Sequence, residues 1–189
     1  MIKMMLNDWL IRAAFLEVLF LSIATPQTKI AIMHAINPQL VAIRFLIGNI
    51  SIIVFTLLYE KYSNTLYKYY PVMMVTRTIV FVTIIVLVLC DSMSLVMYYI
   101  CELLTASLLS KSIQCCCARM KRFMYNGPNR EKFDNYKHLG VAIAGTIGNG
   151  ISLIGIPAKL AWVFLMLSIL VDAWCSLMQY REIKLKNKQ

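Results

Sequence analysis

The sequence predicts an all-α, polytopic membrane protein with six transmembrane helices and both termini cytoplasmic. Three observations predict it. The 189-residue chain is 60% hydrophobic, and its mean hydropathy of +0.69 is that of a membrane protein rather than a soluble domain. Its apolar residues fall into six runs of about the 20 residues that a spanning helix needs, near 9–25, 39–59, 72–90, 93–111, 139–157 and 160–180. Its basic residues crowd one set of connections. The runs leave little chain over, so 1–189 reads as one six-helix domain. They are too long and too numerous for a signal peptide, and no small-residue cleavage site follows the first.

The net charge of +10 could suggest nucleic acid, but its distribution points to topology, because short loops rich in Lys and Arg stay in the cytoplasm. Lys3 and Arg12 flank span 1, and Lys61, Lys68 and Arg77 flank the connection between spans 2 and 3. Lys111, Arg119, Lys121, Arg122, Arg130, Lys132 and Lys137 crowd the connection between spans 4 and 5, and Arg181, Lys184, Lys186 and Lys188 end the chain. The opposite side carries Lys29 and Lys159. A multi-pass protein of the cytoplasmic membrane, in contact with lipid and not with nucleic acid, is the expectation.

Taken in order, span 1 is expected to end at Thr25-Pro26, and Gln27–Asn37 to form a short outer loop. Pro38 opens span 2, which runs into a cytoplasmic loop at Tyr59–Asn64, and Pro71 restarts the chain into span 3. Spans 3 and 4 form a hairpin turning at Asp91-Ser92. Asn126-Gly127-Pro128-Asn129 marks a turn in the long 112–138 connection. Span 5 carries Gly140, Ala142, Ala144, Gly145, Gly148, Gly150 and Gly155. Small residues three or four apart let helix backbones approach closely, so this span should pack tightly on a neighbour. Pro157 separates it from span 6.

Spans 1–3 match spans 4–6 in two places. Glu17-Val18-Leu19-Phe20-Leu21-Ser22 aligns with Glu102-Leu103-Leu104-Thr105-Ala106-Ser107. Ile47-Gly48-Asn49-Ile50-Ser51 aligns with Ile147-Gly148-Asn149-Gly150-Ile151-Ser152. Both matches fall in the order of a 3+3 duplication, whose second copy enters from the opposite side as an inverted repeat.

With this layout, Glu60-Lys61-Tyr62-Ser63 after span 2 resembles the D-R-x-G signature of the major facilitator superfamily, with Glu60-Lys61 as its acidic–basic pair. Glu stands for Asp, Ser63 for Gly, and Asn64 for the usual basic residue. Arg130-Glu131-Lys132-Phe133-Asp134-Asn135-Tyr136, leading into a Gly-rich span, is similar to the approach to the fifth helix in exporter relatives. The resemblance covers the whole chain as one six-span half of a twelve-span carrier. It implies secondary transport of a small molecule, with a homodimer or a partner membrane subunit supplying the other wall.

The residues that could carry transport are those whose charge hydrocarbon penalises, by about 3 kcal/mol per group on insertion scales. They are Glu17, Arg44, Glu102 and Asp172. Glu17 and Glu102 occupy matching places in the repeat, and Arg44 reads as their counter-ion. A carboxylate without a counter-ion in hydrocarbon holds its proton up to near-neutral pH, which is what a proton-coupled carrier uses. The plainer readings are a structural Glu–Arg pair and an Asp172 near the cytoplasmic boundary. Asn49 and Asn149 read first as helix–helix hydrogen-bond formers and second as pathway ligands. Trp9, Trp162 and Trp174 read as interfacial anchors.

Enzyme chemistry is not expected. The two histidines, His34 and His138, fall on opposite sides, and no G-x-S-x-G, H-E-x-x-H, phosphate-binding or dinucleotide glycine pattern occurs. A membrane peptidase would need a His and a Cys together, and the spacing of His138 from Cys115–Cys117 gives no such pair. The Cys run reads as a juxtamembrane stretch, with S-acylation as the sharper reading. Adjacent thiols do not converge on a metal without a C-x-x-C partner, and no cofactor is called for. Two alternatives stand beside the carrier. One is a non-transporting accessory or immunity-type membrane protein. The other is a six-span substrate-binding subunit of a vitamin transporter, for which Ala31-Ile32-Met33-His34-Ala35 supplies a small-x-x-x-small motif that the expected loop leaves without a docking helix.

Overall fold

The computed structural model describes residues 8–105, 113, 116 and 128–186. Among them all regular structure is helical: α1 (Trp9–Ala35), α2 (Pro38–Leu89), α3 (Leu95–Thr105), α4 (Pro128–Leu153) and α5 (Ala158–Lys186). Three segments, Trp9–Ala35, Tyr67–Leu89 and Ala158–Leu185, are long and apolar enough to cross a membrane. They mark a membrane-embedded protein. The 106–111 end of the fourth expected span, Cys115, Cys117 and the rest of the connection before Pro128 lie outside the described residues.

The first two helices start at side-chain caps. Asp8 Oδ1 accepts from the Leu10 amide at 2.9 Å, and Asn37 Oδ1 accepts from the Gln39 amide at 3.0 Å ahead of Pro38. Such side-chain acceptors satisfy amides that a first helical turn leaves without partners. α4 begins at Pro128 itself, where a missing N–H costs nothing.

Several expected boundaries are corrected. α1 does not end at Thr25-Pro26 but runs through Pro26 to Ala35. Proline removes one backbone bond, whereas breaking the helix in an apolar setting would orphan several. Thr28 Oγ1 bonds back to the Ala24 carbonyl at 3.0 Å within this stretch. At the expected break of Tyr59–Asn64 two helices meet in a kink rather than a longer loop. α2 is 52 residues long and leaves helical geometry at Tyr62 (φ −120°, ψ 24°), with Pro71 inside it. The kink divides it into two helical stretches, of which Tyr67–Leu89 is long and apolar enough to cross a membrane. Glu60 and Lys61 therefore sit on a kinked helix rather than in a loop. α4 starts eleven residues before the expected span 5 and stops at Leu153, so Arg130–Tyr136 belong to its first turns.

The tight turn at Asp91-Ser92 occurs where expected, whereas the turn before the last helix falls at Gly155, inside the expected span 5. After α2, Asp91 adopts φ +54°, its amide bonds the Val88 carbonyl, and the Ser92 amide bonds the Leu87 carbonyl at 2.9 Å. This is a Schellman closure with Asp at the left-handed position. Between α4 and α5, Gly155 takes that position with φ +88°, and its amide bonds the Ser152 carbonyl at 3.2 Å.

The chain divides into two compact units, Met1–Ile30 with Arg122–Gln189, and Ala31–Lys121. In the second unit the core is a helical stripe of Tyr70, Met74, Ile84, Ile85 and Val88 on α2, with Tyr98, Tyr99 and Leu103 on α3. Their spacing puts them on one helix face. In the first unit, α1 and α5 run antiparallel. Trp9 meets Trp174 edge-on at 5.7 Å near one end, and Phe20 stacks on Phe164 at 5.9 Å further along.

Candidate functional site

In the first unit, three helices bring ionisable residues from distant parts of the sequence to one neighbourhood. Leu10 and Ile11 of α1 form a buried pair, against which Trp9, Tyr136 of α4 and Cys175 of α5 pack. This packing sets Lys137, the residue after Tyr136, beside α1 and α5. Glu17 of α1, Asp172 of α5 and Lys137 of α4 all lie within electrostatic reach of the Cys175 thiol.

The helix backbones hold this arrangement closely. A Cβ added at Gly148 would lie 2.7 Å from Ser22 Cβ and 2.8 Å from the Leu19 carbonyl oxygen, and one at Gly145 would lie 3.7 Å from Ser22 Oγ. The expected tight packing of the Gly-rich helix is thus seen, with α1 as the neighbour. On α5, Ser176 Oγ donates to Asp172 Oδ1 at 3.5 Å, and Gln179 Nε2 donates to Cys175 Sγ at 3.5 Å. Glu17, Asp172, Lys137 and Cys175 are all half-buried.

Chemically, two carboxylates and one ammonium lie within electrostatic reach of one thiol, and two of the three helices that carry them are long and apolar enough to cross a membrane. Carboxylates in such a setting exchange protons and hold cations. Among the described residues no group of three His, Cys, Asp or Glu is close enough to hold a metal.

The remaining expected residues lie elsewhere. Arg44 and Glu102 belong to the second unit, Arg44 on α2 and Glu102 half-buried on α3. The side chains of Arg44 and Glu60 fall outside the described residues. Asn49 and Asn149 are exposed on α2 and α4, and Lys61 is exposed with its Nζ 5.4 Å from the Tyr62 ring centroid. Cys116, in the middle of the Cys run, is completely buried and so presents no thiol to an acyl donor.

Two charged residues gain a place that sequence reasoning did not assign. Lys137 was counted only as a cytoplasmic charge, and Pro128 as a helix start was the signal that would have put it on α4. Arg77 was counted as a loop flank, yet it lies ten residues inside the Tyr67–Leu89 segment, about 15 Å from its start. Its guanidinium sits 5.8 Å from the Phe81 ring centroid, and its Nη1 lies 3.9 Å from Met74 Sδ. Aromatic and thioether neighbours one turn away on either side are a common way to seat an arginine in apolar surroundings.

No protein family, curated protein or solved structure matches this chain.

Proposed function

We propose that the protein is a secondary-transporter-like carrier of the cytoplasmic membrane, with six spans and both termini inside. It moves a small molecule in exchange for, or together with, protons, and it works as a homodimer or with a partner half. The observation that carries this reading is the convergence of Glu17, Asp172 and Lys137 on the Cys175 thiol, across helices of which two are long and apolar enough to cross a membrane. Ionisable side chains at such depth mark ion and substrate pathways by default. Glu102, on the second unit, supplies the carboxylate that matches Glu17 in the inverted repeat, and Arg44 reads as their counter-ion.

The test is substrate-driven proton movement in reconstituted vesicles carrying an internal pH dye, under imposed gradients of small organic anions, cations and neutral metabolites. Proton movement is expected with the wild type and is expected to fall at least tenfold in Glu17→Gln, Asp172→Asn and Glu102→Gln, a loss of about 1.4 kcal/mol or more in the coupled step. Unchanged proton-coupled flux in both Glu→Gln variants would sink the mechanism.

One observation favours a second reading. Ala31-x-x-x-Ala35 lies on the last turns of α1 rather than in a loop, with the neighbouring Met33 74% exposed. Small residues one turn apart on an exposed helix suit the docking of another membrane helix, as the substrate-binding subunit of a vitamin transporter requires. Loss of activity in Ala31→Leu with Glu17→Gln silent would favour that reading over the proton-coupled carrier.

A further inference from the structure

The close approach of α1 to α4 continues, one turn further on, into a polar level. Leu19, Ser22, Ile23 and Pro26 share a face of α1 by their spacing, and the first three of them meet Gly148. Gly145, Gly148 and Ser152 share a face of α4 in the same way. Tyr136 packs beside Leu10 and Ile11, and Gly148 beside Leu19 and Ser22, so α1 and α4 run parallel. Ser152 therefore lies about 6 Å beyond Gly148, and Pro26 about 6 Å beyond Ser22. The serine and the proline stand at one level.

Each helix brings a polar group to this level that it does not itself satisfy. Pro26 stands inside α1 and has no N–H, so the Ser22 carbonyl lacks the donor that a helix provides four residues on. The threonine hydroxyls of this stretch are committed elsewhere, Thr25 to the Leu21 carbonyl and Thr28 to the Ala24 carbonyl. On α4, Ser152 is 5% exposed, and its Oγ has no hydrogen-bond partner among the described residues. A buried donor and a buried acceptor without partners both cost stability. Here one of each comes from facing helices.

We propose that a single water molecule binds at this level, accepting from the Ser152 hydroxyl and donating to the Ser22 carbonyl. The two groups share a level without bonding directly, which is the arrangement a bridging water serves. Ser22 Oγ, 3.7 Å from the Cβ position of Gly145, is a third oxygen on the same face, and buried waters typically make about three hydrogen bonds. Proline inside a membrane helix is tolerated where serines of neighbouring helices and ordered waters take over the freed carbonyl. Helices also bend where a proline or a water interrupts the backbone ladder, so the bound water gives α1 a place to flex against α4. The inference is separate from the carrier reading, and a protein without flux leaves it standing.

The experiment is a double-mutant cycle on the full chain, read as the folding equilibrium in mixed micelles under titration with dodecyl sulfate. Ser152→Ala is expected to lower the folding constant of the wild type about three- to tenfold, the size of polar pairs between membrane helices. Pro26→Ala returns an N–H to position 26 and with it a helical partner for the Ser22 carbonyl. In that background Ser152→Ala is expected to change the constant by less than about twofold or to raise it, because the hydroxyl then has no carbonyl to serve. An equal loss in both backgrounds overturns the proposal, since a hydroxyl bonded back to its own helix would behave so. No loss in either background overturns it as well. Should Pro26→Ala fail to fold, water-edited solid-state NMR of bilayer samples reads the site directly. Magnetisation from water is expected to reach the 13C-labelled Ser22 carbonyl in the wild type and to be lost in Ser152→Ala. A wild-type carbonyl that receives none, or a transfer that survives Ser152→Ala, overturns the proposal.

Discussion

The two units of this protein are held together by different kinds of contact. In the first, helices far apart in sequence meet through ring pairs, Trp9 with Trp174 and Phe20 with Phe164, and through a backbone approach that admits no side chain at Gly148. In the second, consecutive helices joined by a short turn share one apolar and aromatic stripe, from Tyr70 and Met74 to Tyr98 and Tyr99. The first unit also gathers two carboxylates and an ammonium around one thiol. The difference teaches that long-range closure and collected charge go together here. Helices brought into register from distant sequence can aim residues from three directions at one point, and a hairpin aims them from two.

The largest expected effect tests the close approach. Gly148→Leu places a branched side chain where a Cβ alone would overlap Ser22 and the Leu19 carbonyl, and overpacking against backbone is expected to cost about 3 kcal/mol. Loss of the folded peak in size-exclusion chromatography, or a melting temperature lowered by several degrees, is the readout. Gly48→Leu sharpens the comparison, because Gly48 is the counterpart of Gly148 in the proposed inverted repeat. Equal damage supports the repeat, and a tolerated Gly48→Leu breaks it.

Next comes the core of the second unit. Met74 is 1% exposed, and Met74→Ala is expected to cost about 2–3 kcal/mol through the void it leaves. The same variant removes a neighbour of the Arg77 guanidinium, so thermal melting in detergent should show it as more damaging than Thr146→Ala on the exposed face of α4.

The two turns provide the smaller effects. Gly155→Ala introduces a Cβ at φ +88° and is expected to lower stability by about 1–2 kcal/mol. Asp91→Ala, at φ +54°, adds no Cβ, because one already occupies that conformation, so its backbone cost is expected to stay below about 1 kcal/mol. A reversed order in side-by-side melting curves would show that the second unit depends on its turn more than the first does.

Much of the helical layout was legible from local signals. Asp91-Ser92 marks a real turn, Pro38 opens a helix, and the small residues of α4 announce a close packing partner, because turn chemistry and side-chain size act over a few residues. The errors share one cause. Pro26 and Pro71 read as breaks because proline weakens a helix locally, yet the helix persists where breaking it would strand more backbone hydrogen bonds than it frees, whereas the break read at Tyr59–Asn64 is present as the kink at Tyr62. Of the expected site, Glu17 and Asp172 share a unit and a neighbour. Lys137 and Arg77 were visible only as charges to be counted, since sequence spacing shows a residue's helix face but not what that face meets.

By itself the sequence determined the helical class, the membrane-length apolar segments, the turns and the scarcity of charge within those segments, all of them set by hydropathy and short-range backbone chemistry. Only the tertiary structure decided that Glu17 comes within electrostatic reach of Cys175 and that Gly148 seats on Ser22. Those outcomes depend on which helix faces which, and that is settled by packing between residues more than a hundred positions apart.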